Sequence, residues 1–208
     1  MGGFRGKVGN IVGCKYKNGF YIRQLPAKST TPPTEKQLAN RERFKLAQFF
    51  IAGLRQLNKS LPEERRKEIQ CSPRQVMQQS INGDYPGQSL NYSKIKLTKG
   101  YSINGSNHAA TYDQSGIIFS WTKTMPDYYF SIAVLLAYNP AENCWMYSLV
   151  KPGGAFNAAI NIPADFPAGQ LETWIFFMSH DFRQVSASVH SGSVMLPEPE
   201  PALLTTKY

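Results

Sequence analysis

The residues of this sequence best suited to chemistry are basic side chains near the N-terminus, and the chemistry they suit is binding to an acidic partner. Residues 1–33 contain no carboxylate and six cations, namely Arg5, Lys7, Lys15, Lys17, Arg23 and Lys28. Two more, Arg41 and Lys45, are four residues apart and therefore share one face of a helix. Aromatic side chains are interleaved with the first group, namely Tyr16, Phe20 and Tyr21. Basic and aromatic side chains together commonly hold single-stranded nucleic acid.

The charge of the chain is concentrated in its first part. Residues 1–83 contain 16 Lys and Arg against 5 Asp and Glu, whereas residues 84–208 contain 7 against 9. Such asymmetry favours an acidic partner for the N-terminal part, which would be nucleic acid, an acidic protein surface or anionic lipid. Two simpler interpretations stand beside this one. In the first, the basic helix face is only a solvated polar surface. In the second, the aromatic residues form the buried face of a β-ribbon.

Catalytic and metal-binding patterns are missing from the sequence. The three histidines, His108, His180 and His190, are scattered, and the His180-Asp181 pair lacks further ligands at helical or strand spacing. The cysteines, Cys14, Cys71 and Cys144, fit neither a zinc site nor a disulfide framework. Phosphate-binding loops and nucleophile elbows are also absent. We therefore predict a non-enzyme without catalytic residues, metal or cofactor.

The elements that must position the basic arm begin with a β-ribbon. Apolar residues alternate on both sides of Asn18-Gly19 within residues 7–25. Asn-Gly is the preferred pair for a two-residue hairpin turn. An isolated two-stranded ribbon is only marginally stable in water, so this arm is expected to need a surface to lie against.

About three short helices are predicted in residues 34–83. Thr34 and Gln37 form a capping box, and apolar residues then recur with helical spacing at 44, 47, 50, 51, 54 and 57. A second capping box at Ser60 to Glu63 begins a short charged helix. Ser72-Pro73 begins a third, with the proline in the first turn, where its missing N–H costs nothing.

The rest of the chain has the pattern of β-structure. Roughly seven strands separated by turn residues are predicted in residues 90–192, as expected for an antiparallel β-sandwich of the fibronectin III or immunoglobulin-like type. Residues 193–208 read as a Pro-rich extended tail. The fold class is therefore α+β, made of the 1–33 arm, the 34–83 helical segment, the sandwich and the tail. Since we find neither a secretory signal nor a membrane span, an intracellular or virion location is expected.

Several motifs resemble an uncharacterised bacterial family of about this length. Its GKxGNxVG opening, IRxxP step and TPxQLxxRxxF helix start correspond to Gly6-Lys7-Val8-Gly9-Asn10, Ile22-Arg23-Gln24-Leu25-Pro26, and Thr34 with Gln37-Leu38 and Arg41 to Phe44. This chain departs from the pattern by reading Pro-Pro-Thr-Glu-Lys-Gln before the helix. The resemblance covers nearly the whole chain and implies a β-sandwich half similar to fibronectin type III modules. Similar helix starts in phage and prophage proteins extend the analogy to a virion or mobile-element role.

These observations lead to one functional hypothesis and two alternatives. The hypothesis is a non-enzymatic structural protein whose basic arm docks onto another subunit, the same or different, by adding a strand to a sheet edge. The first alternative is a nucleic-acid-binding protein that uses the arm and the helix. The second is a carbohydrate- or surface-binding module that uses the sandwich loops, whose ligand binding would survive deletion of residues 1–33.

Overall fold

The chain divides into two units, Met1–Gln37 and Leu38–Tyr208. The structure is a computed structural model, and it describes residues 4–17, 19–27, 30–61, 69–100, 107–114, 116–122, 132–151, 156–181 and 183–198. The first unit holds the basic arm. The second holds most of the first helix and all of the later strands, so each unit can be described by itself.

The arm is a three-stranded antiparallel sheet. The strands β1 (Gly6–Val8), β2 (Ile11–Tyr16) and β3 (Gly19–Gln24) lie in that order. The predicted ribbon is β2 with β3, and β1 adds a strand that the prediction lacked. Because Tyr16 pairs with Gly19, the hairpin turns one residue earlier than the predicted Asn18-Gly19. Asn18 itself lies outside the described residues.

The first helix, α1 (Glu35–Ser60), has 26 residues. Its predicted capping box is confirmed, since the Thr34 N–H donates to Gln37 Oε1 at 3.1 Å and the Gln37 N–H donates to Thr34 Oγ1 at 3.4 Å. Ala47 is the first fully buried residue of α1. Leu38 and Leu46 are half-buried, whereas Phe44, the first residue of the apolar series, is 50% exposed.

The helix count differs from the prediction. The described residues contain two α-helices, and the first is long where about three short ones were expected. The second, α2 (Pro73–Gln79), begins as predicted, with Ser72 Oγ accepting from the Gln75 N–H at 3.3 Å. The predicted charged helix after Ser60 falls mainly on residues 62–68, which lie outside the described residues. Neither helix among the residues described has the length and apolar character needed to span a membrane.

Nine strands follow α2 in the part of the chain that the structure describes. A small antiparallel pair, β4 (Ile81–Asn82) and β5 (Ser89–Leu90), precedes a 3₁₀ turn at Tyr92–Lys94. The other seven are β6 (Ala109–Asp113), β7 (Gly116–Ser120), β8 (Ile132–Asn139), β9 (Cys144–Val150), β10 (Asn157–Ile160), β11 (Gly169–Met178) and β12 (Val189–Leu196). They form a three-stranded sheet, β10-β7-β6, and a four-stranded sheet, β12-β11-β8-β9.

The four-stranded sheet is buried on both faces. Along β8, Val134, Leu136 and Tyr138 belong to a core shared with α1, whereas Ala133 and Leu135 belong to a core shared with the three-stranded sheet. Every residue of β8 is buried. A central strand covered on both sides needs apolar residues throughout, which explains the continuous apolar run in this part of the sequence.

The turn between β8 and β9 ties α1 to the sheet. Asn143 has a φ of 51° and donates from Nδ2 to the Phe49 carbonyl oxygen at 3.0 Å. Its Oδ1 accepts from the Tyr138 hydroxyl, also at 3.0 Å. A Cβ at Gly53 would collide with the same Oδ1. The absence of a side chain at Gly53 therefore lets the helix approach the turn closely enough for these hydrogen bonds.

Candidate interaction surface

One face of the three-stranded sheet is apolar and exposed. Opposite residues of an antiparallel ladder share a face, so the register groups Val8 with Ile11 and Gly13 with Ile22. The Phe4 ring lies over Gly13, since a Cβ there would be 2.9 Å from a ring carbon. This apolar face presents large side chains that are 37% to 60% exposed, namely Phe4, Val8, Ile11, Phe20 and Ile22. Contiguous apolar patches of this kind mark interaction sites.

The opposite face of the sheet is basic and aromatic. Lys7 and Arg23 both pair with Val12, so the two cations stand in one row across the sheet. Tyr16 and Tyr21 alternate onto the same face and are 67% and 48% exposed. We call this the basic face. Its side chains combine the charge that contacts phosphates with the rings on which bases stack.

The other predicted cations of the arm lie elsewhere. Lys15 pairs with Phe20 and therefore stands on the apolar face. A shallow recess of about 500 Å³ is lined by Arg5, Gly13, Cys14, Lys15, Tyr16 and Lys17. Lys28 lies outside the described residues. The strand register thus divides the arm's cations between two faces of the sheet. The sequence pattern had grouped them together as one basic surface.

The two predicted cations of α1 belong to the second unit. Arg41 and Lys45 are both exposed. Lys45 Nζ lies 4.0 Å from Glu42 Oε1, an exposed pair of the kind that contributes little to stability. A role for Arg41 and Lys45 in binding an acidic partner stays a prediction.

The strand β3 offers a free edge. The Leu25 N–H donates to the Asn10 carbonyl oxygen at 2.7 Å, which fixes the alternation of the β2–β3 ladder. The backbone groups of Tyr21 and Arg23 then point toward β2, and those of Phe20, Ile22 and Gln24 point away from it. Among the described strands, none pairs with this side of β3. Such an edge is a template for pairing with another chain.

The His180-Asp181 pair, weighed above as a metal site, forms part of a turn. Asp181 Oδ1 accepts from the Ser179 hydroxyl at 2.6 Å and from the Arg183 N–H at 3.2 Å. These hydrogen bonds, the Ser179 one first, hold the pKa of the Asp181 carboxyl below its usual value. Within the part of the chain that the structure describes, no group of three or more His, Cys, Asp or Glu side chains is placed to hold a metal ion.

All three cysteines are free thiols. Burial raises the pKa of the Cys71 thiol to about 11, and burial also raises the pKa of Cys144. A thiol with a raised pKa carries little thiolate near neutral pH and is a poor nucleophile. These two cysteines therefore serve as packing residues.

A buried polar cluster surrounds Glu172, and sequence reasoning missed it. His190 Nε2 lies 2.7 Å from Glu172 Oε2, and the Ser193 hydroxyl donates to both carboxylate oxygens at 3.0 Å. Gln170 Nε2 donates to Oε1 at 3.1 Å. The side chains of His190 and Glu172 are only 13% and 5% exposed. The one available signal was a glutamate inside an otherwise apolar strand, since a buried carboxylate needs partners.

Comparison with known proteins identifies the family of the chain. A family model described as a family of unknown function, DUF6266, matches residues 3–192. No curated protein matches the chain.

Proposed function

The chain belongs to DUF6266, a family of unknown function, and from that premise we propose that it is a non-enzymatic assembly component that docks through its N-terminal sheet onto a second copy of itself. The observation that carries the proposal is the apolar face, with five large exposed side chains beside the free edge of β3. A virion or mobile-element setting stays a prediction from the resemblance described above.

A second copy is the favoured partner because of how charge is distributed along the chain. Residues 1–83 carry 16 cations against 5 carboxylates, and residues 84–208 carry 7 against 9. A basic arm on one copy thus meets a slightly acidic surface on the next, which steers and orients the encounter. The contact joins unlike surfaces, so it either closes into a ring or continues as a filament.

Charge placed on the apolar face is expected to weaken this assembly. Ile22 is 60% exposed, and Ile22→Lys puts an ammonium group where the partner must bury apolar surface. We expect the concentration needed for half assembly to rise about tenfold or more, as measured by light scattering after nuclease treatment. Tyr21→Lys adds the same charge to the basic face and should change that concentration less than about threefold.

The edge of β3 provides a second variant of the same test. Gln24→Pro removes an N–H that points away from β2 and leaves the β2–β3 ladder intact. If assembly uses strand addition, this variant also raises the concentration for half assembly. A wild-type chain that remains monomeric at every concentration and salt would contradict the proposal.

Binding of single-stranded nucleic acid is the second candidate function, and the basic face is what favours it. Lys7 and Arg23 stand in one row beside Tyr16 and Tyr21. With two phosphate contacts, from Lys7 and Arg23, the logarithm of affinity should fall against the logarithm of salt with a slope of about −1.4. Lys7→Gln with Arg23→Gln should make that slope shallower by more than about 1, whereas the α1 variant Arg55→Gln should leave it unchanged. Affinity independent of salt would exclude this function.

We infer further that the seven strands β6 to β12 form a sandwich of the fibronectin III or immunoglobulin-like type. Support comes from the strand order, since the first, second and fifth strands share one sheet and the third, sixth and seventh share the other. The fourth strand, β9, here joins the sheet of the third. Sandwiches with this connectivity often act as interaction modules, in keeping with an assembly role.

A further inference from the structure

A groove runs between α1 and α2 in the second unit. It has a volume of about 520 Å³ and is lined by Asn40, Arg43, Phe44, Arg74, Met77 and Gln78. Three of these come from each helix, and in both helices they follow an i, i+3, i+4 spacing that places them on one face. The groove therefore has two matching walls, each with one arginine, one amide and one apolar side chain.

The charges of this groove are unbalanced. Among the ion pairs of the described residues, none joins Arg43 or Arg74 to a carboxylate. Phe44 is 50% exposed and Met77 is half-buried, so the apolar side chains are accessible as well. Guanidinium groups bind carboxylates through charge-assisted hydrogen bonds, and exposed aromatic and thioether groups bind aliphatic side chains. The chemistry of the groove suits an extended peptide with acidic and aliphatic residues.

We propose that this groove binds the C-terminal segment of the chain, residues 197–208, which reads PEPEPALLTTKY. Glu198 and Glu200 supply the carboxylates for the two arginines, and the pair Leu203-Leu204 supplies aliphatic side chains for Phe44 and Met77. Alternating prolines hold a peptide extended before it binds, which lowers the entropy lost on docking. The proposal does not depend on the function proposed for the N-terminal sheet.

The segment is long enough to reach a distant part of its own unit. The strand β12 ends at Leu196, and residues 199–208 lie outside the described residues. Twelve extended residues span about 40 Å, comparable with the length of α1. The segment can therefore contact surfaces well away from the end of β12.

The test uses a labelled peptide of residues 195–208 and the full chain with its own tail disabled by Glu198→Lys, Glu200→Lys, Leu203→Ser and Leu204→Ser. Fluorescence anisotropy should show saturable binding with a Kd on the order of 10 μM. Adding Arg43→Glu and Arg74→Glu should raise that Kd at least about tenfold. Adding Arg41→Glu and Arg55→Glu instead, the same charge change on α1 outside the groove, should alter it less than about threefold.

Two results would overturn the proposal. One is the absence of saturable binding up to about 1 mM peptide. The other is an equal loss of affinity in the groove variant and in the control variant, which would show attraction to net positive charge only. Circular dichroism of each variant establishes that it is folded, so a loss of binding can be assigned to the groove.

Discussion

Replacing Phe50 by alanine is expected to lower the free energy of unfolding by about 3–5 kcal/mol, the usual cost of removing a fully buried phenylalanine. Phe50 is 0% exposed. Its ring centroid lies 5.3 Å from that of Tyr138, 5.6 Å from Trp145, 6.2 Å from Tyr92 and 6.3 Å from Trp174. The substitution leaves a cavity between α1 and the four-stranded sheet and removes four ring contacts, of which those with Tyr138 and Trp145 are edge-to-face.

The neighbouring residue supplies a matched control. Phe49 is 49% exposed, and Phe49→Ala should change the free energy of unfolding by about 0.5 kcal/mol or less. Urea denaturation of both variants, followed by tryptophan fluorescence and by circular dichroism, measures the difference. Equal losses in the two variants would mean that α1 does not pack on the sheet through Phe50.

Glu172→Ala is expected to cost a similar amount, about 3–5 kcal/mol, because it removes one member of a buried and hydrogen-bonded pair. Three polar groups, on Gln170, His190 and Ser193, lose an acceptor, and two of them lie on β12, the strand next to β11. The His190 ring also packs edge-on against Trp174 with centroids 5.2 Å apart. Loss of the carboxylate thus disturbs the His190 ring, which packs against the core residue Trp174.

Two further variants distinguish the loss of the buried Glu172–His190 pair from the general effect of removing a negative charge. Glu172→Gln keeps an acceptor for Ser193 and should cost only about 1–2 kcal/mol. Glu142→Ala removes an exposed carboxylate and should change stability by less than about 0.5 kcal/mol. Urea denaturation again provides the measurement. If Glu172→Ala were as mild as Glu142→Ala, the buried pair would contribute nothing to stability.

Local signals in the sequence predicted local structure well. The capping box at Thr34 and Gln37 and the Ser72 cap both form as expected, because each depends on residues within one helical turn. The hairpin of β2 and β3 was also found, although its turn lies one residue earlier. Features that depend on a few neighbouring residues can thus be predicted from the sequence without knowledge of the fold.

The candidate surface was only half predictable. The sequence identified the cations of the arm, but a period-two pattern does not say which strand pairs with which. The third strand and the register decide that Lys7 and Arg23 share a face while Lys15 stands among apolar side chains. A shift of one residue would exchange the two faces, because successive side chains of a strand point in opposite directions.

The sequence by itself determined the α+β class, the position of the basic arm, the first residues of both helices and the apolar character of the strands. Tertiary structure alone decided which apolar residues are buried. Phe44, Phe49 and Phe50 are chemically identical, yet only Phe50 reaches the core. Phe44 precedes Ala47, the first residue of α1 in the core, and Phe49 lies on the side of the helix that faces away from the core. It also decided that Glu172 meets His190 across two strands. Burial and pairing of this kind depend on contacts between residues far apart in the chain, which no local pattern encodes.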